Sequence, residues 1–242
     1  MKYCLLVIAV AVVVFVSCKK TNSSNTSVLF YNGTWSLPSI TAAWNGSSIT
    51  TTAIAQGQTS GTAEKPYLQE PAGTNLLTLQ AGTNTLVNKN IYSTYALGSS
   101  FLFYDTTIAA GGTVQILQLT DVLTQPDTAQ INYRFIDLSP DASATADVWL
   151  VNGATDSLRL DSAAVFIGKG ALASSVQAFT TIKYHGQAYT VKIKKTGTEQ
   201  VYASISNFTF TVKGVYSIIF SGLPGGSGST AFKLSVLHHA AQ

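Results

Sequence analysis

The chain carries few side chains able to do covalent or metal chemistry: three histidines and eleven carboxylates in 242 residues. A hydrolase triad, or a zinc-bound water, needs a histidine oriented by a third group. His185 sits beside Gly186 at an expected hairpin tip, and His238 and His239 end the last expected strand, so all three are expected to be solvent-exposed. The nucleophile-elbow pattern Gly-x-Ser-x-Gly is absent, and no segment reads as a helix able to carry one. Asp137, Asp141 and Asp147 lie close in sequence and suggest calcium. That ion needs six to eight oxygens at strict spacing, and Ser139-Pro140-Asp141-Ala142 reads better as a turn in which Asp137 or Asp141 accepts from local backbone N–H groups. No metal, cofactor or catalytic residue is therefore expected.

Recognition chemistry is better represented. Trp35, Trp44 and Trp149, with eleven tyrosines, suit either a stacking platform for sugars or aromatic core packing. Alternation puts Val148 and Leu150 on one face and Trp149, beside Asp147, on the other, so Trp149 with Asp147 is the candidate ligand-binding pair. Asp-(Ser/Thr)-(apolar or Thr) recurs at Asp105, Asp127, Asp156 and Asp161; it marks Thr128 and Ser162 as candidates for O-glycosylation, beside the plainer reading of turn chemistry.

Residues 1–17 read as a leader. Lys2 is followed by an unbroken apolar run from Leu5 to Val16, too short to span a bilayer core, which takes about 20 residues. The small Ser17 then precedes Cys18, the arrangement a lipoprotein signal peptidase cleaves. Cys18 is thus the expected lipidation site, and residues 18–27 a tether that anchors without a transmembrane helix. Cys4 leaves with the leader, so no intrachain disulfide is available to the mature chain. Lys19 after Cys18, rather than aspartate, points to outer-membrane sorting, with the periplasmic or surface face left open.

The formal charge of +3 falls to zero once Lys2, Lys19 and Lys20 are set aside, which leaves no basic face for nucleic acid. The elements that must position any site are strands. Short Thr/Val/Tyr-rich runs are separated by Gly, Pro and Asn, and only residues 162–177 have room for a helical turn. A division near Gln125-Pro126-Asp127 separates two similar segments. Trp44-Asn45-Gly46 corresponds to Trp149 through Asn152-Gly153, both hairpin signals, and the Gly-rich approach to Thr113–Leu119 to that before Thr230–Val236. Tyr95-Ala96-Leu97 is matched with Tyr216-Ser217-Ile218. Strands are expected over 208–212 and 215–221, with Phe210, Val212, Tyr216, Ile218 and Phe220 inward about a Lys213-Gly214 turn. The reading is all-β: two tandem antiparallel sandwich modules, 28–125 and 128–242.

Leu119-Thr120-Asp121, then Tyr133-Arg134-Phe135, Ser139-Pro140-Asp141-Ala142 and Asp147-Val148-Trp149 through Asn152-Gly153, resemble the tandem modules of bacterial envelope lipoproteins called domain of unknown function 4397. The second segment matches well. In the first, Phe30-Tyr31-Asn32 is not followed by the Ser-Pro-Asp turn. The resemblance implies an immunoglobulin- or transthyretin-like sandwich in the cell envelope and no activity. The functional expectation is a non-enzymatic lipoprotein that binds a glycan or protein partner, or else a structural envelope component.

Overall fold

The structure, a computed structural model, describes residues 25–50, 52–109, 112–140, 145–153, 156–169, 176–184 and 186–239. The expected leader, Cys18, Asp141 and His185 lie outside the described residues.

Seventeen strands are described, with no helix long and apolar enough to cross a membrane among the described residues. They form four sheets. The first has the order β5 (Leu68–Pro71), β1 (Asn25–Asn32), β8 (Gly98–Asp105), β9 (Val114–Asp121). The second has β3 (Ser47–Ser48), β2 (Ser39–Trp44), β6 (Gly73–Ala81), β7 (Asn84–Ser93), with β4 (Ile54–Ala55) beside β2. The third runs β13 (Thr180–Lys183), β10 (Gln130–Asp137), β16 (Val215–Ser221), β17 (Lys233–His239), and the fourth β12 (Asp156–Ala164), β11 (Ala146–Asn152), β14 (Tyr189–Lys195), β15 (Val201–Phe208). The third sheet repeats the strand connections of the first. In each, a central pair is parallel, β1 with β8 and β10 with β16, while every other ladder is antiparallel.

Three apolar clusters fill the spaces between these sheets. Val28, Phe30, Trp44, Leu77, Leu79, Phe101 and Phe103 lie between the second and first sheets, with Phe30 stacked on Phe101 at 5.3 Å. Ile131, Tyr133, Val148, Leu150, Val191, Ile193, Tyr216 and Ile218 lie between the third and fourth. Leu29, Tyr31, Leu102, Leu119, Ile136, Leu138 and Ile219 join the first sheet to the third. The two inner sheets are therefore buried on both faces. Adjacent residues of β1 enter opposite clusters, Phe30 one and Leu29 and Tyr31 the other, because side chains alternate across a strand.

Local chemistry sets the boundaries. Asn45 and Gly46 both have positive φ, +52° and +81°, the two left-handed positions a tight hairpin between β2 and β3 demands. Asn152 pairs with Asp156 at the close of the β11–β12 hairpin, and a 3₁₀ turn at Ile167–Lys169 falls inside the stretch expected to hold one.

Three expectations need correction. The strand before the Lys213-Gly214 turn is Val201–Phe208, not 208–212: Phe210 reaches the core, but Val212 is 44% exposed. Lys213, at φ +63°, donates its N–H to the Gln130 carbonyl instead of prolonging a ladder. Tyr95-Ala96-Leu97 is a loop with Ala96 at φ +59°, and the counterpart of β16 is β8. Finally, His239 is 1% exposed and His238 is half-buried, its ring stacked on Tyr216 at 4.7 Å; both are held by the pairing of β17 with β16.

Candidate functional site

The most reactive-looking constellation is the one the sequence concealed. Asp121 ends β9, Arg134 lies mid-β10, Ser217 is in β16, His239 ends β17 and Tyr67 precedes β5. They close a ring: Arg134 Nη2 to Asp121 Oδ1 at 2.6 Å, Tyr67 Oη to Asp121 Oδ2 at 2.7 Å, Tyr67 Oη to His239 Nδ1 at 2.7 Å, His239 Nε2 to Ser217 Oγ at 2.7 Å and Arg134 Nε to Ser217 Oγ at 2.8 Å. Ser100 donates a further hydrogen bond to Asp121 Oδ2, and the Phe179 ring covers the guanidinium at 4.5 Å. Burial pushes the His239 imidazole down to about 3, and burial with the neighbouring Asp121 charge raises the Tyr67 phenol. Both are neutral donors and acceptors here.

A serine, a histidine and an aspartate invite comparison with acyl-transfer chemistry. The geometry opposes it. Ser217, His239, Arg134 and Asp121 are all buried between the first and third sheets, and the Ser217 oxygen already accepts from Arg134. No face of the hydroxyl is left for an incoming carbonyl. The ring joins β9 to β10 and β17, which makes it a polar bolt in an apolar layer. The signal that would have found it was a lone charge inside an apolar strand, Arg134 in Ile131–Ile136 and Asp121 after Leu119.

A cavity of about 680 Å³ lies elsewhere, at one end of the first two sheets. Trp35, Leu37 and Leu86 give it apolar walls, Ser36, Thr85 and Thr113 give it hydroxyls, and Ser229 and Thr230 reach in from the C-terminal half on a 3₁₀ turn, Gly228–Thr230. None of its lining residues is charged. Trp35 is fixed from below: buried Asp105 accepts from the Trp35 N–H at 2.7 Å, the Ser36 N–H at 3.1 Å and the Ser36 hydroxyl at 2.7 Å. The indole donates to the Thr107 carbonyl at 3.0 Å. Asn32 Oδ1 holds the Thr34 N–H and hydroxyl, and Gln56 donates to the Thr34 carbonyl at 2.7 Å while accepting from Lys233. A half-exposed tryptophan is thus presented by a loop whose polar groups are already satisfied from within the protein.

Trp149 is on the outer face of the fourth sheet, opposite the buried Val148 and Leu150. Its cross-strand partners are Arg159 and Lys192. The Arg159 guanidinium stands 5.8 Å and the Lys194 ammonium 5.1 Å from its ring centre, so cations already occupy the indole's π surface. Asp147 is buried and accepts from the Thr196 hydroxyl at 2.8 Å, and Lys194 pairs with Glu199 at 2.6 Å. Trp149 and Asp147 belong to one sheet face, whereas the cavity described above is lined by Trp35. Trp44 is core.

Thr128 is exposed in the turn before β10, and Ser162 is exposed in β12, its N–H bonded to Asp161. Asp137 accepts from the Ser139 N–H at 2.8 Å, the expected turn bond. Among the described residues no group of three or more His, Cys, Asp or Glu side chains is placed to hold a metal.

No family model matches the chain, and no curated protein matches it. Among solved structures, a family 26 carbohydrate-binding module from Eubacterium rectale Amy13K, crystallised with maltoheptaose, aligns over 90% of this chain and 98% of its own at 10% identity, with a TM-score of 0.27. At that TM-score the likeness carries no argument about a ligand, and the all-β sandwich architecture rests on the sheets themselves.

Proposed function

We propose that the chain is a non-catalytic cell-envelope lipoprotein, anchored at the outer membrane through Cys18, whose Trp35 cavity binds an uncharged glycan. The observation that carries the reading is the cavity: an immobilised indole beside aliphatic walls, ringed by hydroxyls and free of charged groups. Saccharides offer an apolar face to stack on an aromatic ring and hydroxyls to share with serine and threonine, and a preformed site lowers the ordering cost of binding. The leader's apolar run and the Ser17-Cys18 junction support the anchor, and the resemblance to envelope lipoproteins is consistent with it.

The test is a panel of neutral and acidic oligosaccharides titrated calorimetrically against the mature chain and against Trp35→Ala. Binding of a neutral oligosaccharide that Trp35→Ala weakens at least tenfold supports the reading. Binding that Trp35→Ala leaves unchanged while Trp149→Ala abolishes it moves the site to the fourth sheet. No binding across the panel favours a structural envelope role instead. One observation speaks for that second reading: the apolar cluster between the first and third sheets and the ring of Asp121, Tyr67, His239, Ser217 and Arg134 tie the two halves of the chain together.

A further inference from the structure

Four exposed large apolar side chains lie at one end of the N-terminal half, Tyr92 near the end of β7 in the second sheet and Tyr95, Leu97 and Val122 beyond the ends of β8 and β9 in the first. Tyr92 and Tyr95 are each 64% exposed, Val122 58% and Leu97 38%. The strand register gathers them. Gly98 pairs with Asp121, which puts Leu97 and Val122 just beyond the same sheet end, and Ser93 pairs with Gly73 next to Tyr92. Two exposed tyrosines within four residues, with a leucine beside them, are more than a soluble surface needs. The Ala96 turn between Tyr95 and Leu97 holds a left-handed φ of +59° that alanine rarely adopts.

The N-terminal stretch enters the fold at this same end. The Asn25 carbonyl accepts from the Ala96 N–H, the Thr26 hydroxyl donates to the Leu97 carbonyl at 2.9 Å, and Asn25 pairs with Pro71. Only six residues separate Cys18 from Asn25, a span of at most about 25 Å when fully extended. The far end of β8, at Asp105, is a further ~25 Å away along the strand.

From these two facts together we infer that the Tyr92–Tyr95–Leu97–Val122 rim is a membrane-contacting surface that rests in the interfacial region of the bilayer holding the lipid anchor. The inference rests on the lipidation of Cys18 proposed above and adds a definite orientation: the β1 start faces the lipid, and the Trp35 cavity, at the opposite end of β8 near Asp105, faces away. Tyrosine suits the task, with an apolar ring and a hydroxyl that stays among headgroups. At this rim Glu70, opposite Thr26, has its carboxyl raised by partial burial, and in sequence Lys19 and Lys20 follow Cys18 directly.

The mature chain has no cysteine other than Cys18, so single thiols report cleanly. The acylated protein, carrying Tyr95→Cys or Ile108→Cys labelled with an environment-sensitive fluorophore, would be reconstituted in phosphatidylethanolamine–phosphatidylglycerol vesicles containing doxyl lipids. Ile108 is exposed and lies beyond the far end of β8. The expected result is blue-shifted emission and at least threefold stronger quenching at 95 than at 108. Equal quenching at both positions, or stronger quenching at 108, overturns the orientation. Protection of position 95 that grows with protein concentration and not with lipid means that a second copy covers the rim, and overturns it too. Wild-type protein that fails to float with the vesicles, or Cys18→Ala that floats as well as wild type, overturns the anchor itself, a failure distinct from protein that floats in the wrong orientation.

Discussion

His239 Nε2 and Ser217 Oγ stand 2.7 Å apart, and the hydrogen between them belongs to the serine. Tyr67 gives its one hydrogen to Asp121, so its oxygen accepts from His239 Nδ1–H, which leaves Nε2 to accept the Ser217 hydrogen while the Ser217 oxygen accepts from Arg134 Nε. His239 is then the neutral Nδ1–H tautomer, donating to Tyr67, which donates in turn to Asp121. Every bond in the ring runs one way, from the guanidinium through neutral groups to the carboxylate, while Arg134 Nη2 reaches the same carboxylate directly. Within the ring, Arg134 Nη1 has no hydrogen-bond partner. Protonating His239 would reverse the Ser217 bond and put a second cation near Arg134.

Acid sensitivity follows from that arrangement. The His239 imidazole lies at about 3 in the folded chain against an ordinary 6.5, so the unfolded chain binds the proton first. This contribution is complete above pH 6.5 and is lost as pH falls from 6.5 toward 3. At pH 5 the loss is about 2 kcal/mol at 1.36 kcal/mol per unit. Urea denaturation at pH 7.5 and pH 5 should show that difference in the native chain and a markedly smaller one in His239→Gln. An equal loss in both would place the acid sensitivity elsewhere.

The Asp121–Arg134 pair should be strongly coupled. Removing one partner leaves a buried uncompensated charge, so Asp121→Asn or Arg134→Met alone should cost about 3–5 kcal/mol. The double variant removes both charges and should cost at least 2 kcal/mol less than the sum. Chemical denaturation of the four chains closes the cycle, and additive costs would mean that the ring does not act as a unit.

How much of this was readable beforehand depended on burial. β2, β6 and β14 alternate buried and partly exposed residues, the period-two pattern that marks a strand in sequence. β12 and β15 are edge strands; polar residues outnumber apolar ones in Asp156–Ala164, and no residue of Val201–Phe208 is fully buried, so neither carries a clear period-two signal. In β1 and β16 every position from Thr26 onward and from Val215 onward is buried, so Val28 through Tyr31 and Ile218 through Phe220 announce a strand but not the second sheet packed on it. That unseen layer is why His239, which looks like a frayed terminus in sequence, is interior. Nothing local in sequence singles out Trp35 among the three tryptophans, because its anchor, Asp105, is 70 residues away and Asp105-Thr106-Thr107 resembles a turn until it is seen bonded to Trp35 and Ser36.

Two glycines with left-handed backbone should respond differently to alanine. Gly46, at φ +81°, has nothing within 4 Å of an added Cβ, so Gly46→Ala should cost only about 1 kcal/mol of conformational strain. Gly222, at φ +99°, would drive its Cβ to 2.2 Å from the Ala231 carbonyl oxygen. Backbone on both sides must then move, and Gly222→Ala should cost about 3 kcal/mol or more. Thermal melts of the two variants make the comparison, and a Gly222→Ala chain as stable as Gly46→Ala would contradict it.

Asp105 should govern binding through Trp35 without touching the ligand. Its carboxylate accepts three hydrogen bonds from Trp35 and Ser36, while the opposite side of the loop is held by Asn32 and Gln56. Asp105→Asn keeps the shape but replaces a charged acceptor of three hydrogen bonds by a neutral amide and turns the Ser36 hydroxyl from donor to acceptor, which should cost about 1–3 kcal/mol of stability. Trp35→Ala removes a half-exposed ring and should cost less stability than Asp105→Asn. For glycan affinity the order reverses: Trp35→Ala removes the platform and should abolish measurable binding, whereas Asp105→Asn loosens it and should weaken binding about tenfold, chiefly through faster dissociation. Stability by denaturation and affinity by calorimetry on the same two variants separate the roles. A Trp35→Ala chain that binds as well as the native one would remove the cavity from the glycan reading altogether.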